Sequence, residues 1–149
     1  MTYFLQIVTA MAASCGFAVI FQIKPRHLKY IAFGGLLSWG SYLLFLQLLQ
    51  HHMKAMFVAA ILVTLYSELG ARIDKVPSTL IYVPTIIPLI PGSYLYYCTS
   101  GLISGNEQEF QKYAQLLIED ALAIVLGTIL VYTLVSLLNS RYRRRNGVK

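Results

Sequence analysis

Five long apolar runs, three of them free of any charged side chain, leave this chain few ways to fold. The runs cover residues 3–23, 30–49, 55–70, 79–97 and 116–138, and short polar or basic blocks separate them. A helix needs about 20 mostly apolar residues to cross a bilayer core. Charged residues make up 12% of the 149, where a soluble domain carries roughly 25%, so a water-facing surface cannot be assembled. Hydrophobic types reach 57%. These features exclude a secreted disulfide scaffold, a disordered tail and an ordinary soluble enzyme. The sequence predicts an all-α integral membrane protein, residues 1–149 forming a single transmembrane domain of about five helices.

The net charge of +6 invites a nucleic-acid reading, but the basic residues fall in blocks between the apolar runs. In membrane proteins such blocks stay on the cytoplasmic side. Five spans place the two ends on opposite sides. With the N-terminus out and the C-terminus in, Lys24, Arg26, Lys29, Arg72, Lys75, Arg141, Arg143, Arg144, Arg145 and Lys149 all lie inside. Only Lys54 and Lys112 remain outside. The partner of the basic tail is then the anionic lipid surface, with no nucleic acid required. The longest hydrophilic stretch, Gly101 to Lys112, reads as a loop. Small residues four apart (Ala12 and Gly16, Gly34 and Ser38, Ala123 and Gly127) suit close helix packing.

The fourth run contains Pro84, Pro88 and Pro91, followed by Gly92. Each proline removes a donor and clashes with the carbonyl four residues earlier, which orphans the carbonyls of Leu80, Pro84 and Ile87. Irregular backbone in a membrane survives only against protein or a wet cavity. A span broken at Pro88 and Pro91-Gly92, near its midpoint, is therefore expected. Such a break is a device for binding small polar solutes, because a half-helix starting at Gly92-Ser93 offers free N–H groups to an anion. Pro88, Pro91, Gly92, Ser93 and Tyr94 are the candidate substrate-binding residues. A kinked helix with structural prolines is the plainer alternative, and Tyr94, Tyr96 and Tyr97 suit either a cavity lining or an interfacial belt.

Four charged residues are candidates for coupling or gating. Glu68 and Arg72, four apart, fit either an anchoring ion pair or a gate near the cytoplasmic end of the third span. Glu119 and Asp120 sit early in the fifth. Asp120 precedes Gly127 by seven residues, nearly the same helix face, which directs it into packing and makes it a candidate for proton coupling. Alternatively the fifth span starts later and both acids lie in the outer headgroup layer. His51 and His52 read as a short outer loop lacking the spaced partners of a zinc site, and Cys15 and Cys98 as free thiols. No nucleophile, zinc-protease or phosphate-loop motif is present. No enzymatic activity, cofactor or metal is expected.

The run Ile87-Pro88-Leu89-Ile90-Pro91-Gly92, with Pro77 and Pro84 upstream, resembles the proline–glycine signature of the threonine/serine exporter family. Phe21, Pro25 and Leu28, then Gly34, Gly35, Gly40 and Tyr42, resemble the family's first loop and second span. Ser67-Glu68-Leu69-Gly70-Ala71-Arg72 resembles the end of its third, so the likeness runs from about Phe21 to Leu138. It is closest to the family's small, split membrane subunit. Full-length members carry in addition a hydrolase-like soluble region and a second set of spans. The resemblance implies a multi-pass subunit in the cell (inner or plasma) membrane, part of a secondary exporter. Its substrates would be small carboxylates, threonine and serine or a dicarboxylate such as succinate. The implied partner is a larger companion subunit, a homo-oligomer being the other arrangement. A non-transporting membrane scaffold is the competing reading.

Overall fold

The computed structural model describes residues 2–145, and of residues 141–145 the helical path alone. The side chains of the expected basic tail, Arg141, Arg143, Arg144, Arg145 and Lys149, thus lie outside the described residues. Six helices follow one another: α1 (Thr2–Ile20), α2 (Leu28–Leu49), α3 (His52–Asp74), α4 (Ser78–Ile86), α5 (Gly92–Ser104) and α6 (Glu107–Arg145). Short 3₁₀ turns, Pro25–His27 and Ile87–Leu89, precede α2 and extend α4. Four segments are individually long and apolar enough to cross a membrane: Thr2–Ile20, Pro25–Leu49, His52–Asp74 and Glu107–Ser140. A further pair, Ser78–Leu89 with Gly92–Ser104, passes the same test when the two are taken together, and its axes meet at 56°.

The helices stop where backbone chemistry tells them to. Gln50 and Lys75 close α2 and α3 in the left-handed region, donating their N–H groups to Leu46 and Ala71. Pro77 then caps α4, where its missing donor costs nothing. Gly105 (φ 70°) ends α5, and the Asn106 side chain accepts the Glu109 N–H at 3.3 Å to start α6. Glu107 and Glu109 favour that helix start through the dipole. The expected loop from Gly101 to Lys112 is therefore a correction. It is the last turn of α5, a tight link, and the first turns of α6, which begins well before residue 116.

Side-chain registers fix the directions. Trp39 donates to Gln6 (3.3 Å) and Tyr66 to the Tyr30 carbonyl (2.7 Å), as antiparallel α1–α2 and α2–α3 require. On α4, Ile81 lies over Gly70 and Thr85 over Ser67, again antiparallel to α3. Helix α6 runs parallel to α3: Asp120 meets His52, Gly127 meets Ala60, and Asn139 meets Arg72. The chain thus begins near the end that carries His52 and leaves beyond the end that carries Asp74. Lys24, Arg26, Lys29, Arg72 and Lys75 gather at the Asp74 end. There buried His27 pairs with Asp74 and accepts a bond from Arg26, tying the α1–α2 connection to the end of α3.

Helix α3 is the centre, packed by α2, α4 and α6. Its small residues Ala55, Ala59, Ala60, Ser67, Gly70 and Ala71 are buried and let those neighbours approach. Gly34, Ser38, Ala123 and Gly127 also lie in buried contacts, as their spacing predicts. Ala12 and Gly16 do not; both are exposed. The stripe that α1 presses on α2 is Ala10–Ser14–Ala18, because Ala10 and Ser14 fit against Gly35.

Candidate functional site

The break in the fourth crossing forms residue by residue. Pro84 is accommodated inside α4, Pro88 falls in the 3₁₀ turn, Ile90 is extended, and Pro91 caps α5. The Ile87 carbonyl, an expected orphan, accepts the Ile90 N–H at 3.0 Å, so the tighter turn recovers it. Past the break, Gly92 donates to Ile90 (2.7 Å) and Leu95 to Pro91 (3.1 Å). The N–H groups of Ser93 and Tyr94 find no backbone acceptor among the described residues. Continuing the α3–α4 register past Ser67–Thr85 sets the break beside the middle of α3.

Beside it lies a cavity of about 400 Å³, lined by Trp39 and Tyr42 of α2, His52 and Met56 of α3, Pro88 to Tyr94, and Asp120 of α6. Its polar core is a short chain of hydrogen bonds. His52 Nε2 lies 3.1 Å from Asp120 Oδ2 and 3.2 Å from the Tyr94 hydroxyl, and Nδ1 lies 2.7 Å from the Tyr42 hydroxyl. With Asp120 ionised, Nε2–H is the donor to it and Nδ1 accepts the Tyr42 O–H. The Tyr42 and Tyr94 rings stand edge-on to the imidazole at 5.5 and 5.7 Å, fixing its plane. Asp120 is 1% exposed, and its second oxygen, Oδ1, is buried without a hydrogen-bond partner. On an insertion scale a charged carboxylate at mid-helix costs about 2.5–3.5 kcal/mol, so buried acids in membrane helices mark working sites. Among the described residues, no Lys or Arg lines the cavity.

Pro88, Pro91, Gly92, Ser93, Tyr94 and Asp120 all meet here. The early start of α6 puts Asp120 in the fourth turn of that helix, level with His52, the first residue of α3. Glu119 is half-buried, points its carboxylate back to Gln115 (2.8 Å), and does not line the cavity. Glu68 and Arg72 stand about 24 and 30 Å along α3 from His52, at 1.5 Å per residue, toward the Asp74 end. They do not pair with each other; Arg72 donates instead to Asn139 at 3.1 Å, because α6 passes within its reach. The expectation that Glu68 and Arg72 form an ion pair is corrected accordingly. His52 corrects another expectation. Only one residue, His51, separates Gln50 from the start of α3, so His52 opens the helix rather than lying in a loop, and its ring turns inward. His52, Tyr42 and Trp39 are site residues that sequence reasoning missed. The short turn itself was the available signal, since it keeps Tyr42 within reach of His52.

A helical bundle of membrane-crossing length, with one crossing broken beside a buried carboxylate, defines a multi-pass membrane transport protein. The sequence profile of the family described as Threonine/Serine exporter, ThrE, matches residues 6–134. The chain belongs to this family, and it is a multi-pass protein of the cell membrane. The match takes in every residue that lines the cavity. No curated protein and no solved structure matches the chain.

Proposed function

We propose that the chain is the membrane subunit of a secondary exporter that carries small α-amino acids, threonine and serine foremost, through the cavity at the break. The observation that carries this reading is the pairing of unlike demands in one small space. The buried Asp120 Oδ1 suits an ammonium group, and the free N–H groups of Ser93 and Tyr94, at the positive end of α5, suit a carboxylate. A zwitterion answers both. A dicarboxylate such as succinate would bring a second negative charge toward Asp120 with no Lys or Arg to meet it. At about 400 Å³ the cavity is near the small end of the roughly 300–1,000 Å³ usual for ligand sites. Absence of a nucleotide-binding motif points to an ion or proton gradient as the energy source. Asp120 and the break form the substrate site, Glu68 and Arg72 belong to the far gate, and a larger companion subunit completes the exporter.

Proteoliposome flux tests the reading, with the chain alone and with its companion. Labelled threonine should move at least tenfold faster than succinate in one of the two conditions, and Asp120→Asn should remove most of that flux. Succinate moving faster than threonine would reverse the substrate assignment. No flux in either condition, with the complex intact, would favour the scaffold.

A further inference from the structure

The imidazole at the centre of the cavity makes more contacts than substrate binding requires. Its two nitrogens are engaged by groups from three other helices: Tyr42 on α2, Tyr94 on α5 and Asp120 on α6. The His52 side chain is 31% exposed at its end of the bundle, whereas Asp120 is 1% exposed. The imidazole is thus the accessible member of the pair. We infer that His52 is the proton-carrying residue of the cavity, and that the proton it takes up and a cation held by Asp120 exclude one another. The inference deepens the export reading and rests on it for the identity of the cation.

The step is a plain proton transfer. A proton from the aqueous phase at the His52 end bonds to Nδ1, whose lone pair now accepts the Tyr42 O–H. The hydroxyl turns so that its oxygen accepts the new N–H, while Nε2–H stays on Asp120 Oδ2. No other bond is made or broken, and the proton leaves by the reverse route. With neutral His52 the pair carries one negative charge, presented by Oδ1, and an ammonium is held. With imidazolium the pair is neutral, and the ammonium loses its counter-charge in a site where screening is weak. One proton entering thus releases one substrate molecule, held until then by its ammonium group. Few other groups compete. Glu119 faces Gln115, Lys54 is exposed on α3, Tyr113 packs behind Tyr94, and neither α1 nor the Pro88–Ile90 turn brings a titratable side chain to the cavity. Histidine is the one side chain whose ordinary titration falls in the physiological range.

Threonine exchange in proteoliposomes, at equal pH on both faces, provides the test for the full chain with its companion. Wild-type exchange should fall tenfold or more as pH drops from about 8 to about 5, and whatever exchange remains in His52→Gln should be independent of pH. A His52→Gln profile that tracks the wild type overturns the inference. Should that variant be inactive, ¹⁵N spectra of the histidine-labelled wild type decide. A His52 ring that gains its second proton between about pH 8.5 and about pH 5, and loses it again on adding threonine, upholds the inference; a ring unchanged over that range overturns it. A wild type that moves no threonine while the ring still gains its proton counts against the export reading alone.

Discussion

Gly127 sits where α6 passes α3, and a Cβ there would stand 2.9 Å from the Phe57 carbonyl oxygen. Main chain cannot yield as a side chain can, so any larger residue forces the two helices apart. Gly127→Val should lower stability by about 1–3 kcal/mol, read as a drop in thermal unfolding temperature in detergent. Gly16→Val, at a position with open space around it, should change little and serves as the control. Asp120 shares a face with Gly127 by spacing alone, so a helical repeat places it inward. For His52 the nearby sequence offers only Tyr42, across a short turn; Asp120 lies 68 residues away and Tyr94 lies 42. Its role depends on three helices meeting, and composition carries no trace of that.

At the scale of elements, the broken crossing governs behaviour. Prolines at positions 84, 88 and 91 do unequal work: the first is absorbed within α4, the second fits a 3₁₀ turn, and the third starts a new helix at 56° to the old. Gly92 keeps the mouth of α5 open, with nothing within 4 Å of where a Cβ would stand. A leucine there meets no clash and fills cavity instead. Gly92→Leu should therefore insert normally and lose export; unchanged export rates would remove the break from the transport path. The helix ends show the same division of labour. Pro77, Gly105 and Asn106 mark boundaries that residue chemistry sets locally, while the left-handed Gln50 and Lys75 carry no such signature. That is why the turn between α2 and α3 escapes a reading by composition, whereas Gly105-Asn106 marks the start of α6.

For the whole molecule, the parallel run of α3 and α6 and the antiparallel packing of α1 to α4 set the start of α1 and the last turns of α6 at opposite ends, with five basic residues at the Asp74 end. We propose, from positive-inside retention, that this end faces the cytoplasm. Cysteine labelling in intact cells checks it: Lys54→Cys should react with an impermeant maleimide from outside and Lys75→Cys only after permeabilisation. The reverse pattern would invert the direction in which His52 meets solvent. Residue order alone gave the membrane class, the four to five runs long enough to cross and the place of the break. Each of these follows from run length, charge placement or a missing N–H, which are local quantities. Tertiary structure decided which charges belong together, separating Glu68 and Arg72 from the cavity and joining His52 to Asp120, because that depends on the register between helices far apart in the chain.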